Sequence, residues 1–401
     1  MFDLSLTTAL PIIALAGLPS FALALSALNL VFWPRGKTSA RLEEALSVLV
    51  PARNEEANIE RCVRAIFEAS HPLLEVLVYE DCSTDQTPEI LARLQSEFTK
   101  LRVIKGRPLP AGWVGKPHAC ARLVEASRGD TLLLVDADTF LKKGAIARLA
   151  SLQIRHDAAL VSAVPEQISG TFFERLILPL LHLSYSCWLP LPLIWKTHDP
   201  RFLAINGQVM MMRRDALEAV GGFHAVRAEI VDDMAIARRF KEEKKRVVFA
   251  DGFRIASCRM YRSAREVWEG FSKNIFEGMG SSALVFALVI FIYLSTFVLP
   301  YIAAMTLAIA GQTAGIWWWS ALAGVGANLA LRAMMALRFR QPIEGILLHP
   351  LAVISLVAIA FNSLRWSRQN EVLWSGRSYV GKQQRNTPAE AVSQSAIGAD
   401  Q

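Results

Sequence analysis

The sequence predicts an α/β fold with a mainly parallel sheet, carried between membrane helices at its two ends. Three observations predict it. Between about residues 45 and 160, short continuous apolar runs alternate with amphipathic stretches, the pattern of strands and crossover helices. Acidic residues gather where those runs end, and such sheets bind ligands at the carboxyl ends of their strands. Segments almost free of charge, long enough to cross a bilayer, lie near both ends of the chain.

Taken in order, residues 5–33 read as a transmembrane helix. Asp3 stands where a signal peptide carries basic residues, and the apolar run is too long for a signal-peptide core. Arg35, Lys37 and Arg41 follow, which the positive-inside rule places in the cytoplasm. ALSVLVP is a strand, and the helix after it puts Ile59, Val63, Ile66 and Phe67 on one face. LLEVLVYED is a second strand, followed by a helix with Ile90, Leu91, Leu94 and Phe98 on one side. LRVI, a helix in KPHACARLVEAS, and the strand TLLLVDAD complete the alternation. These elements form residues 44–140, the first half of a domain that extends through 141–278.

Within the second half, the apolar stretch 172–196 is interrupted by three prolines and by Glu174, Arg175 and His182. It is expected to be interfacial or re-entrant. Membrane segments return over 282–364 as three apolar helices, the first of them unbroken from Ala283 to Ala310. Arg338 and Arg340 mark a return to the cytoplasm. Three full spans would leave the basic tail 365–401, with Arg365, Arg368, Arg377, Lys382 and Arg385, on the outer side. One C-terminal segment is therefore expected to be re-entrant. The end of the tail reads as disordered.

Composition limits the possible functions. The 401 residues are 53% hydrophobic and 20% charged, too apolar for an ordinary soluble protein and too charged for bare membrane helices. The net charge of +7 favours anionic partners, but Lys and Arg flank apolar segments rather than forming a nucleic-acid tract. Lipid headgroups and phosphates are the expected partners, not nucleic acid. Five cysteines without a CxxC pair argue against a disulfide framework or a zinc site.

The residues suited to chemistry follow the strand ends. Asp136 and Asp138, one residue apart, can hold a divalent cation that in turn grips a diphosphate; the alternative is a pair of turn-forming caps. Asp81 and Asp85 end a second strand, and Arg53 and Glu55 follow a third. Lys116, in the glycine-containing GWVGKP, suits a phosphate at a helix start. Asp232 and Asp233 precede an amphipathic helix, as helix caps or as a general base for a hydroxyl. Arg259, Arg262, Arg265, Trp268 and Lys273 then crowd one short stretch, either a basic helix on a membrane surface or cations for a leaving diphosphate.

The ordered set PARNEE, EDCSTD, GWVGK, DAD, VDD and RMYRSAREVWEG resembles the inverting family 2 glycosyltransferases of the GT-A fold. It is most similar to membrane-bound, single-transfer members: ceramide glucosyltransferase-like, hopanoid-associated and carotenoid enzymes. The resemblance covers roughly residues 46–278 and extends weakly to LWSGRSY in the tail. It implies a nucleotide beside Pro51, Arg53 and Glu55, with Asp81 reading the base and a UDP-sugar as donor. Lys116 is implied near the diphosphate, Asp136 and Asp138 at the sugar diphosphate and a Mg2+ or Mn2+ ion, and Asp233 as base. Asp232 stands where the family more often has Glu, so either of the pair remains open as the base. Arg259, Arg262, Arg265 and Trp268 occupy the region of leaving group and acceptor, without the Gln-x-x-Arg-Trp of processive members.

The expected function is therefore transfer of one sugar to a lipid hydroxyl by a multi-pass cell-membrane protein with a cytoplasmic catalytic domain. A processive polysaccharide synthase and a non-catalytic scaffold retaining the fold are the alternatives. A nucleotidyltransferase is disfavoured, because PARNEE has no glycine to cradle a phosphate.

Overall fold

The computed structural model describes residues 6–40, 42, 44–69, 72–369, 372–374, 377–380 and 383–385. Asp3, Arg41, Lys382 and the tail end expected to be disordered lie outside the described residues.

Eight strands form one sheet: β1 (Leu46–Ala52), β2 (Glu75–Glu80), β3 (Leu101–Lys105), β4 (Thr131–Val135), β5 (Thr139–Leu141), β6 (Leu160–Gln167), β7 (Val209–Arg213) and β8 (Val247–Cys258). Their order is β3-β2-β1-β4-β7-β6-β8-β5. The four strands expected from the first half are all parallel. In the second half the sheet is mixed: β7 runs antiparallel to β4 and β6, β6 and β8 are parallel, and β5 is antiparallel to β8.

Continuous apolar strands need cover on both faces. Leu49, Leu77, Leu132 and Leu134 pack on the face covered by the helix Gly115–Ala126, through Ala119, Cys120 and Leu123. Val48, Val50, Val76, Val78, Leu133 and Val135 point the other way, against Ile59, Cys62, Val63, Ile66, Leu91 and Leu94. The period of two along each strand and of 3.6 along each helix thus sets which residues each face of the sheet buries.

Among the described residues three helices are long and apolar enough to cross a membrane: Ala9–Phe32, Ile316–Phe339 and His349–Gln369. The segment expected as one unbroken helix from Ala283 is divided into Ala283–Phe297 and Leu299–Ile309. Pro300 sits in the first turn of the second helix, where its missing N–H costs nothing but cannot continue the helix before it. The helix Ala264–Gly278 meets Ala283–Phe297 at a bend of 118°.

The stretch 172–196 forms three short helices, Phe172–Ile177, Pro179–Cys187 and Pro192–Lys196, each too short to span. They dock on the N-terminal helix through Ser26, whose Oγ donates to Ser186 Oγ (3.2 Å), and through the amide of Asn29. Asn29 Nδ2 donates to the carbonyls of Ser186 (2.7 Å) and Leu189 (2.8 Å), and its Oδ1 accepts from Leu191 N (2.9 Å). Asn29→Leu would strand these buried groups, so it should lower the unfolding free energy in detergent by roughly 1–3 kcal/mol. A thermal midpoint equal to wild type would contradict that assignment.

His349–Gln369 stays close to the domain along its second half. Asn362 Nδ2 donates to Ser272 Oγ (2.9 Å), Phe276 N to Ser363 Oγ (3.0 Å), and Ser367 Oγ to Glu277 Oε1 (3.1 Å). Just before it, Glu344 pairs with Arg175 at 2.6 Å. After it, three short strands, β9 (Val372–Trp374), β10 (Arg377–Val380) and β11 (Gln383–Arg385), form a small antiparallel sheet.

Candidate active site

The rim of the sheet is built from two loops laced together. After β1, Asn54 N donates to Ser83 Oγ (3.1 Å), Glu55 N to Thr87 Oγ1 (2.8 Å) and Glu56 N to Asp85 Oδ2 (3.0 Å). Arg53 Nη1 donates to the carbonyls of Asp81 (2.5 Å) and Cys82 (2.9 Å). Asn54 and Cys82 take left-handed backbone, which turns each loop sharply off its strand. Arg53 and Asp85 thus fix the shape of the rim. Pro51 stands in β1 opposite Tyr79, and Asp81 is buried at the end of β2.

Beside them four further acids converge. Asp136 leaves β4 with its N–H on the carbonyl of Gln208 (3.1 Å), and Asp138 accepts from Thr139 Oγ1 (3.0 Å). Asp232 and Asp233 open the helix Asp232–Glu242. Lys116, in the first turn of Gly115–Ala126, binds Asp136 through Nζ, at 2.7 Å from Oδ1 and 2.8 Å from Oδ2.

So many carboxylates in partial burial suppress one another's ionisation. Burial, then Asp138 and Asp136, push Glu55 up to about 8 despite a bond from Asn58. Burial and Asp136 push Asp138 up to about 6. Burial pushes Asp232 up to about 7, with Asp233 and Asp136 adding to the rise and Lys116 opposing it. Burial raises Asp233 as well, again against Lys116. Burial would lower the Lys116 ammonium, but Asp136 and Asp232 overcome it and hold the group well above the ordinary lysine range. Lys116 is the cation at the centre of the cluster.

The two neighbours differ in access. Asp232 is 4% exposed. Asp233 is half-buried, with Oδ1 accepting from Met234 N (2.8 Å). Gly207 packs under it: a Cβ there would lie 2.8 Å from Asp233 Oδ2. Gly207→Ala should therefore displace this carboxylate. We expect kcat to fall about 10-fold to 100-fold with unchanged thermal stability, the scale of a misplaced catalytic group; wild-type kcat would refute the contact.

The arginines expected at the leaving group separate. Arg259 is captured by buried Glu174 at 3.1 Å, which also caps the helix Phe172–Ile177. Arg262 reaches the first loop, donating to Asn58 Oδ1 (2.7 Å) and the carbonyl of Ala57 (3.2 Å). Asn58 in turn donates to Glu55 Oε2 (3.0 Å). Arg265 faces solvent and pairs with Glu269 one turn away. Trp268 is half-buried on the same helix.

Two further residues belong here: Lys273, counted from the sequence among the cations of its stretch, and Gly207, given no role from it. Lys273, on Ala264–Gly278, stands within electrostatic reach of Lys116, Asp232, Asp136 and Asp233. Its signal was present as a basic residue one and a half turns past Trp268, but nothing local distinguished it from its surface neighbours. Gly207 had only an Asn-Gly turn signal ahead of an apolar strand.

A sheet with this order, with acids on its carboxyl rim and Lys116 and Lys273 beside them, is a GT-A-like α/β fold. The sequence model of glycosyl transferase family 2 matches residues 47–221. Over 256 residues the chain is 27% identical to the 4,4'-diaponeurosporenoate glycosyltransferase of Staphylococcus aureus strain USA300, covering 62% of this chain and 65% of that protein. The protein of the same name from strain MRSA252 is 26% identical over the same length. The match thus spans a little under two thirds of these relatives. Among solved structures, a mannosyltransferase of Pyrobaculum calidifontis in complex with GDP-Man and Mn2+ superposes with a TM-score of 0.53. It is 17% identical, and the superposition covers 88% of this chain and 99% of that one. That likeness supports the fold.

Proposed function

We propose that this protein transfers one sugar from a nucleotide-sugar to a hydroxyl of a lipid, with inversion at the anomeric carbon. The observation that carries the proposal is the convergence of Asp136, Asp138, Asp232 and Asp233 around Lys116 on the carboxyl rim. The nucleotide lies along Pro51, Arg53, Glu55 and Asp81, and a uridine donor follows from the family resemblance. Asp233, the more open of its pair, takes the proton of the acceptor hydroxyl. The oxygen attacks the anomeric carbon as the bond to the diphosphate breaks, and the nucleotide diphosphate departs beside Lys116 and Lys273. Asp232, beneath, holds Lys116 in place. Arg262 acts through Asn58 on Glu55, and Arg259 positions the 172–196 stretch through Glu174.

Among the described residues no group of three or more His, Cys, Asp or Glu side chains is placed to hold a metal ion alone. The donor set nevertheless fits Mg2+ or Mn2+: two hard carboxylates, Asp136 and Asp138, with the remaining places left to diphosphate oxygens. Burial, with Asp136 beside it, raises Asp138, and a bound cation would favour its ionised form. When bound, such an ion neutralises charge on the leaving diphosphate.

A lipid acceptor is supported by relatives named for a carotenoid and by three helices of membrane-crossing length. Arg35 and Lys37 after the first of these, with Arg338 and Arg340 at the end of another, support a cytoplasmic domain by the positive-inside rule. The attachment of the second half of His349–Gln369 to Ala264–Gly278 supports an end of that helix on the side of the domain.

Titration of UDP and GDP into the purified protein tests the donor site. We expect UDP to bind more tightly, tighter still with Mn2+, and the cation's gain to drop at least about tenfold in Asp138→Asn. Binding indifferent to cation would refute the metal assignment, and a preference for GDP the uridine assignment.

A further inference from the structure

A second charged site lies away from the sheet rim, where the domain meets the membrane helices. A cavity of 380 Å³ is lined by Arg35, Arg148, Asp251, Arg254, Ile255 and Arg338 with the backbone of Gly36. None of these residues belongs to the carboxylate cluster. Four separate elements supply them. Arg35 follows the end of Ala9–Phe32 by three residues, and Arg338 is the penultimate residue of Ile316–Phe339. Arg148 comes from the helix Ala145–His156, and Asp251 and Arg254 from β8.

Four guanidinium groups face one carboxylate there, a net charge of 4 − 1 = +3 among the lining side chains. Asp251, 3% exposed, is shared between Arg35 Nε at 3.1 Å and Arg338. The other two have no acid. Arg148 donates through Nη1 to the carbonyl of Gly36 (3.0 Å), while its Nε is buried without a partner. Arg254 is exposed and makes no ion pair among the described residues. The approach is built for contact: a Cβ at Gly36 would lie 2.1 Å from the carbonyl oxygen of Arg148. Arg338 and Arg340 also stand over the ring of Phe253, at 6.0 and 5.8 Å from its centroid.

Four guanidinium groups that outnumber their one carboxylate suit an oxyanion with several acceptor oxygens. The volume is at the small end for a ligand pocket, enough for a headgroup. Its position at the ends of two membrane-length helices puts it at the level of lipid phosphates. We propose that this cavity binds the phosphodiester headgroup of an anionic phospholipid, seating the catalytic domain on the bilayer.

The test uses the full chain in detergent, with phosphatidylglycerol and phosphatidylcholine as probes and retained lipid read by native mass spectrometry. Wild type should retain one phosphatidylglycerol in preference to phosphatidylcholine. Arg254→Gln should weaken retention roughly fivefold, the effect of one basic residue near a membrane surface. Arg201→Gln, an equal change of charge at an exposed site paired with Asp199, should leave it unchanged. Equal retention of the two lipids, or equal loss in both variants, overturns the proposal. Displacement of the lipid by millimolar inorganic phosphate would reassign the cavity to soluble phosphate and overturn the lipid assignment.

Discussion

Asp233→Asn should lower kcat by about 10²-fold to 10⁴-fold, the contribution of a positioned general base, with donor binding retained. Asp232→Asn should leave substantial kcat and change the pH profile instead. The sign follows from the charges. A base must be deprotonated, so activity falls as pH drops through its pKa. Burial lifts both members, and the charge of Asp233 adds to the rise of its neighbour Asp232, so the acid limb of the wild-type profile should lie above the ordinary carboxylate range. Removing the charge of Asp232 relieves Asp233, and the limb should move to lower pH. If Asp232→Asn abolishes turnover while Asp233→Asn retains it, the roles are reversed.

Lys116→Ala should be the second large effect. Its ammonium touches both oxygens of Asp136 and is the cation that opposes the rise of Asp232 and Asp233. Without it the carboxylates of Asp136, Asp232 and Asp233 lose the cation they share. We expect kcat/KM to drop about 10²-fold or more, comparable to loss of one preorganised electrostatic group. The acid limb should move to higher pH, opposite to Asp232→Asn, because the stabilising charge has gone. Determining kcat/KM across pH 5–9 for the two variants side by side checks both signs. Limbs that coincide with wild type would mean that Lys116 and Asp232 do not share one electrostatic site with Asp233.

Much of this site was legible because parallel sheets collect ligands at one edge. Once ALSVLVP, LLEVLVYED and TLLLVDAD read as buried parallel strands, Glu55, Asp81 and Asp136 had to share a rim. Asp232 and Asp233 were legible as acids opening a helix, but their approach to Asp136 depends on β7 pairing antiparallel with β4, a long-range choice without a local signal. For the same reason Lys273 could not be told from Arg265, eight residues earlier on the same helix; one turns to the acids and the other to solvent. Arg259 looked like a free cation because its partner, Glu174, sits in an apolar stretch 85 residues away. The break at Val298 was signalled by Pro300, but proline is tolerated in membrane helices, so hydropathy alone read through it.

The most direct test is transfer itself. The full chain, purified and supplied with native lipid extract, would be incubated with radiolabelled nucleotide-sugars, with Mg2+ or Mn2+ and with chelator. The account predicts label in a single organic-phase product, lost with chelator and lost with Asp233→Asn. Label that remains in the aqueous phase as polymer, or transfer that survives both chelator and Asp233→Asn, would contradict it.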